Sequence, residues 1–196
     1  MKILHCCLSC FYIDNYNYQE NALPRQNKLD GHEVMILAST ETIINNKKLG
    51  YINPSCYVNE DGIKVVRIPY STFLPHSVMK KLRIYKDSLG VINEYKPDVI
   101  LFHGAAAYEL MRVAEYKKYH PNVKLYVDSH EDFNNSARSF LSKQVLHRLL
   151  YKRCIKRVLN YIEKVLCVSM EAFEFMRDFY GIPSEKLEFY PLGGTV

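Results

Sequence analysis

The chain has 196 residues, of which 48% are apolar and 24% charged, and 26 Lys and Arg against 21 Asp and Glu leave a net charge of +5. That length makes one domain or slightly more, and the apolar content excludes a disordered chain. The modest positive charge permits an anionic partner without demanding one, and no apolar run approaches the roughly 18 residues of a membrane-spanning helix.

The N-terminal 13 residues carry one lysine, a short apolar run interrupted by His5 and no small-x-small cleavage site, so they read as a first strand of a cytosolic protein and not as a signal peptide. The six cysteines, Cys6, Cys7, Cys10, Cys56, Cys154 and Cys167, read as small buried hydrophobes of a reduced chain. Cys7 and Cys10 have C-x-x-C spacing, but no second pair completes a zinc site.

A strand is predicted over 2–8, a polar and aromatic loop over 9–18, and a helix over 19–30 that tolerates Pro24 only in its first turn and ends at Gly31. A second strand follows over 33–39. Residues 40–62 form a long polar excursion with a hairpin or flap, and 63–69 a third strand. A single helix is predicted over 76–95, because Val78, Leu82, Tyr85, Leu89 and Ile92 make one apolar stripe. Strands over 99–102 and 124–128 flank a helix over 106–119. From residue 142 the pattern is helical with a change of register near Leu150. Residues 164–168 give a sixth strand, Ser169 caps a helix over 170–180, and 187–190 gives a last strand. Strands and helices alternate, which implies an α/β fold with a doubly wound, mostly parallel sheet of about seven strands.

The run that ends at Val127 gives way abruptly to Asp128-Ser-His130-Glu131-Asp132-Phe-Asn-Asn135-Ser136. Ligands of open α/β sheets bind outside the carboxyl ends of strands, so this cluster is the first candidate site. His130 either projects into the crevice mouth or shapes a turn. Asp128, Glu131 and Asp132 either carry acid/base or metal chemistry or form a solvated, helix-capping loop. Asn135 and Ser136 either read hydroxyls or cap the next helix. His103 ends the neighbouring strand, with a structural and a ligand-contacting role equally open. Tyr16, Tyr18, Gln19 and Glu20 close the first strand's loop, where rings can stack on sugars and polar tips can read hydroxyls. The basic groups Lys80, Lys81, Arg83, Lys86 and Lys152, Arg153, Lys156, Arg157 form solvated faces or dock on anionic lipid. No nucleic-acid-binding signature accompanies them.

The opening βαβ unit lacks the G-x-G-x-x-G fingerprint of NAD and FAD enzymes. Its helix end at Leu29-x-Gly31-His32-x-Val34, the Lys96-Pro-Asp-Val-Ile-Leu101 segment, the Val127-to-His130 turn and the exit through Gly181-Ile-Pro183, Lys186-Leu187 and Tyr190-Pro-Leu-Gly193 resemble glycosyltransferase family 4. Many members carry a Gly-Gly pair in the first loop, where this chain has Tyr16-Asn-Tyr18-Gln19-Glu20. The resemblance implies a Rossmann-like N-terminal GT-B domain over 1–190, an interdomain linker starting at 191–196, and a donor-binding domain outside the chain. It implies retaining transfer of a sugar from a nucleotide-sugar to a glycan or lipid-linked acceptor. His130 would lie against the transferred sugar, with Tyr16, Tyr18, Gln19, Glu20, His103, Asp128, Asp132 and Asn135 binding sugar or acceptor. No cofactor beyond the nucleotide-sugar co-substrate and no protein-held metal is expected. The resemblance places the protein in the cytoplasm, with peripheral contact at an anionic membrane as an added expectation. The competing readings are half of a nucleotide-sugar 2-epimerase and a non-catalytic Rossmann-like binding module.

Overall fold

The computed structural model describes residues 1–44, 48–131 and 149–191. The strands are β1 (Lys2–Cys7), β2 (Glu33–Ser39), β3 (Glu41–Ile44), β4 (Lys48–Tyr51), β5 (Ser55–Val58), β6 (Lys64–Ile68), β7 (Val99–His103), β8 (Lys124–Ser129), β9 (Val165–Cys167) and β10 (Leu187–Phe189). Eight of them form one sheet in the order β10-β9-β8-β7-β1-β2-β6-β5. Every pairing in it is parallel except β5 with β6. The expected seven-stranded parallel sheet is therefore present, with an antiparallel edge strand added from the 40–62 excursion. The same excursion supplies the separate hairpin β3–β4.

Side-chain alternation along the strands builds two cores, one on each face. Leu4, Cys6, Met35, Leu37, Ile100, Phe102, Leu125 and Val127 belong to the larger core. Cys7, Val34, Ile36, Ala38 and Val65 point the other way. Helix α1 (Gln19–Leu29) packs on β1 and β2. It ends as its sequence dictates: Asp30 is the C-cap, Gly31 has φ +83°, and the amides of Gly31 and His32 donate to the carbonyls of Lys28 and Asn27. That is a Schellman closure, which needs a residue at ease in the left-handed region. Pro24 lies in the second turn, not the first as expected. The helix continues past it, and the carbonyl of Glu20 loses its i+4 amide donor.

The helix expected over 76–95 is two helices, α2 (His76–Leu82) and α3 (Ser88–Tyr95). Arg83 (φ +53°) and Asp87 (φ +59°) break it, and the residues between them run extended beside 69–71. The gain is the placement of Tyr85. Its ring stacks on Tyr70 at 4.6 Å, its hydroxyl donates to the carbonyl of Leu8 at 2.9 Å, and its amide donates to the buried Glu109 carboxylate at 3.0 Å. Val78, expected on the buried stripe, is exposed, and Met79 is buried in its place. Helix α4 (Glu109–Tyr119) starts three residues later than the sequence suggests. Helix α5 (Lys152–Val158) and α6 (Met170–Glu174) complete the set, α6 continuing as a π-helix, Phe175–Tyr180, that stops at Gly181. Ser169 caps α6 as expected, its Oγ accepting from the amide of Ala172 at 3.1 Å. The expected register change near Leu150 falls partly outside the described residues.

Candidate active site at the strand-order reversal

From β1 the chain moves outward through β2 to β6, then returns to the opposite side of β1 with β7. The helices that follow β1 and β7, α1 and α4, pack on opposite faces of the sheet, and the carboxyl edge at such a reversal is where an open α/β sheet forms its ligand crevice. Ser9 follows β1 and Gly104 follows β7, with φ +86°. A Cβ on Gly104 would come within 2.9 Å of Ser9 Oγ, so the two loops approach as closely as they do only because no side chain is there.

Beneath this mouth, on the α1 side of the sheet, three neighbouring strands each contribute one polar side chain. His5 comes from β1, His103 from β7 and Asp128 from β8, and all three are fully buried. His5 Nδ1 meets His103 Nε2 at 3.0 Å, and His103 Nδ1 meets Asp128 Oδ2 at 2.5 Å. The other carboxylate oxygen accepts the Gly104 amide at 2.7 Å and lies 3.7 Å from His130 Nε2. At the far end Asn27 Nδ2 of α1 is 2.9 Å from His5 Nε2. Burial opposes charge on all these groups, but the pair between His103 and Asp128 outweighs it. The imidazole is raised to about 9, and the Asp128 carboxyl is held well below the usual carboxylate range. His5 is driven well below the ordinary histidine value by burial and then by the His103 charge.

His130 is the member of this line that reaches the crevice, with 35% of its side chain exposed and Nε2 itself buried toward Asp128. Burial lowers its proton affinity, but the hydrogen-bonding and charge of Asp128 raise it overall, with Glu20 adding to the effect. Glu20 also acts on His103. The N-terminus of α1 and the end of β8, far apart in sequence, therefore face one another across the crevice. His103 and Asp128, expected as sugar contacts, have no exposed surface and face His130 and each other instead.

Gln19 lies in the same N-terminal turn, and both atoms of its side-chain amide are buried without a hydrogen-bond partner among the described residues. A buried amide in that condition is costly unless something else pairs with it. Tyr18 is exposed and Tyr16 half-buried, their rings 5.3 Å apart. Asp132 and Asn135, the remaining sequence candidates, lie outside the described residues.

Asn27 and three further participants were not assigned to the site from sequence. His5 carried a visible signal, a polar residue on the inward face of an otherwise apolar strand. Arg83 did not. Helical periodicity put it on a solvated basic face, whereas its Nη1 donates to Ser9 Oγ at 2.7 Å. Glu131 was named beside His130 but left out of the predicted set. It accepts from the Tyr180 hydroxyl at 3.2 Å, and burial pushes it up to about 7, against the opposing charge of Arg83 and that hydrogen bond. A cavity of 610 Å³ lined by Lys2, Lys28, His32, Glu33 and Tyr95 opens at the strands' opposite edge, away from this chemistry.

The family model for glycosyltransferase family 4 matches residues 22–193. Among solved structures, sucrose-phosphate synthase from Thermosynechococcus elongatus superposes with a TM-score of 0.60 at 13% identity, over 98% of this chain and 48% of that one. The catalytic domain of starch synthase IV from Arabidopsis thaliana, bound to ADP and acarbose, gives 0.57 at 13% identity, over 97% and 51%. A glycosyltransferase from Rickettsia africae gives 0.55 at 14% identity, over 98% and 43%. The chain thus spans about half the length of the structures it resembles. No curated protein sequence matches it. The eight-stranded sheet with its helices is the Rossmann-like half of a GT-B fold, and the chain belongs to glycosyltransferase family 4.

Proposed function

We propose that this chain is the acceptor-side, N-terminal half of a retaining glycosyltransferase that moves a sugar from a nucleotide-sugar to a glycan or lipid-linked acceptor. The observation that carries the reading is His130. It is the one polar side chain of the buried line that emerges into the crevice, at the carboxyl edge of the sheet and at the reversal of strand order. Membership of the family supports the transferase reading, and the position of His130 supports the roles proposed for it.

In retaining transfer, positive charge grows on the anomeric carbon while negative charge grows on the departing phosphate. A backbone carbonyl at His130 faces the first, and a protonated His130 ring donates to a sugar hydroxyl or to the second. Asp128 behind the ring raises its affinity for that proton against the effect of burial. The Gln19 amide offers two donors and an acceptor to sugar hydroxyls or phosphate oxygens. Tyr16 and Tyr18 present aromatic faces to C–H surfaces of a glycan. Donor contacts belong to a second domain beyond the linker that starts near residue 191, so the 196-residue chain by itself should turn over nothing.

The test is His130→Ala in a protein that carries both domains, assayed with the nucleotide-sugar and acceptor it uses. Removing one preorganised electrostatic contact of this kind costs roughly 100- to 1,000-fold in turnover. Thermal stability should be close to wild type, because the ring is partly exposed. Unchanged kcat/KM would remove His130 from the mechanism.

A further inference from the structure

We propose that Asp128, His103, His5 and Asn27 are positioning residues for His130: a buried line of hydrogen bonds, running from the C-terminal turn of α1 through three strands, that sets the orientation and charge of the ring in the crevice. Its relevance to catalysis rests on the transferase reading above. Its existence as a coupled proton-holding device does not.

The argument is one of donors and acceptors. With His103 neutral, each contact can be satisfied once and all hydrogens point the same way. Asn27 Nδ2 donates to His5 Nε2, His5 Nδ1 donates to His103 Nε2, and His103 Nδ1 donates to Asp128 Oδ2. Adding a proton to His103 puts hydrogens on both of its nitrogens. His5 must then accept at Nδ1, move its own hydrogen to Nε2 and find an acceptor there, which requires the Asn27 amide to present its oxygen. The two orientations of an amide fill the same volume. The proton count of the line and the orientation of Asn27 therefore change together.

Asn27 is not a bystander on α1. Its carbonyl accepts the His32 amide in the Schellman closure, so its backbone is pinned where its side chain meets His5. His5 and His103 are stacked at 5.3 Å with their ring planes 17° apart, a geometry that leaves neither ring room to swing. At the other end Asp128 divides its two oxygens. Oδ2 serves His103, while Oδ1 serves the Gly104 amide and faces His130. A cationic His103 draws on the carboxylate and competes with His130, and a neutral one releases it. The charged and titratable groups facing the line are Glu20 from α1, Cys7 from β1 and Cys10 from the loop after it, Cys167 from β9, and Asp128 itself from β8.

The experiment is a pH titration of the histidine ring nitrogens by 15N-resolved NMR on the chain as it stands, in wild type and three variants. In wild type, His130 should titrate above the ordinary histidine midpoint of 6.5, and His5 should stay neutral while its hydrogen moves from Nε2 to Nδ1 as His103 loses its proton. Asp128→Asn should lower the His130 midpoint by about one pH unit or more. His103→Gln should move it the opposite way, since the competitor for the carboxylate is gone. Asn27→Asp, a change on the half-buried surface of α1 that spares the core, should keep His103 protonated to higher pH by supplying a fixed acceptor to His5. Opposite signs for Asp128→Asn and His103→Gln cannot come from a general loosening of the fold. If the two core variants do not fold, the Asn27→Asp shift at His103 decides the matter alone. Identical His130 midpoints in wild type, Asp128→Asn and His103→Gln, or no effect of Asn27→Asp on His103, would overturn the proposal. A coupled line in a protein that transfers no sugar would leave the line standing and refute only the functional reading.

Discussion

A buried ion pair between an imidazole and a carboxylate makes a definite statement about stability and pH. The His103 ring keeps its proton to about 9 in the fold, above the ordinary 6.5, so its stabilising contribution is complete below about 6.5 and is lost as pH rises through about 9. Asp128 is depressed, so its contribution is complete above the ordinary carboxylate range and is lost only as pH falls through its lowered value. Glu131, raised to about 7, costs the fold stability that builds up between about 4.5 and 7 and stays constant above. The thiols of Cys6, Cys7 and Cys167 are raised above their ordinary 9.0 by burial, and that of Cys10 by its hydrogen bond with Cys7 and then burial, so they cost the fold stability only as pH rises above that value. Between pH 7.5 and 8.5 His103 dominates the slope, and whatever part of the raised His130 titration falls there adds to it. Urea unfolding should show stability falling by about 1.4 kcal/mol per pH unit there, the value for one proton. His103→Gln should reduce that slope by the His103 share, and a flat wild-type curve would show that His103 is neutral in the fold.

At the scale of elements, the loop that delivers Tyr16 to Gln19 into the crevice is held from behind by one buried arginine. Arg67 of β6 is 1% exposed. Its guanidinium donates to the carbonyls of Ser39 (3.0 Å) and Tyr12 (3.3 Å), to Asp14 (2.8 Å) and to the Tyr57 hydroxyl (2.9 Å). It thereby joins β2, β5 and the loop after β1. Arg67→Met leaves Asp14 without its cation and the carbonyls of Ser39 and Tyr12 without this donor, and should destabilise by roughly 3 kcal/mol. Amide hydrogen exchange should quicken across residues 12–17 in particular; unaltered exchange there would mean the loop is held by other contacts. Gly31→Ala tests the end of α1 separately. No atom lies within 4 Å of the added Cβ, so the loss of about 1 kcal/mol expected in denaturation would be purely the cost of the left-handed backbone.

For the whole molecule, the two expected basic faces are only partly available to an anionic partner. Lys80 is paired with the buried Glu41 carboxylate, Arg83 turns inward to Ser9, and Lys152 donates to the carbonyl of Phe179. What remains is Arg153, Lys156 and Arg157 on α5, and Lys81 and Lys86 at and after α2, the latter accompanied in sequence by the exposed Phe73 (63%), Leu74 and Val78. No helix among the described residues is long and apolar enough to cross a membrane. We propose that this patch makes a peripheral contact with anionic lipid in the transferase. Co-sedimentation with phosphatidylserine vesicles should then weaken several-fold in Phe73→Ser/Leu74→Ser and with added salt. Equal binding by wild type and variant would exclude the patch.

The alternation of strands and helices, the Gly31 and Ser169 caps and the motifs at residues 29–34, 96–101 and 127–130 are local properties. Period, propensity and capping act over a few residues, so the sequence by itself determined the parallel sheet and the membership of family 4. It also marked His130, because an abrupt end to an apolar run is visible without coordinates. The split of residues 76–95 was not visible, since Arg83 and Asp87 accept left-handed backbone for contacts Tyr85 makes with Tyr70, Leu8 and Glu109, all distant in sequence. The same holds for the burial of His103 and Asp128. Only the strand order β8-β7-β1 and its register set His5, His103 and Asp128 side by side on one face, and that order is a decision of tertiary packing.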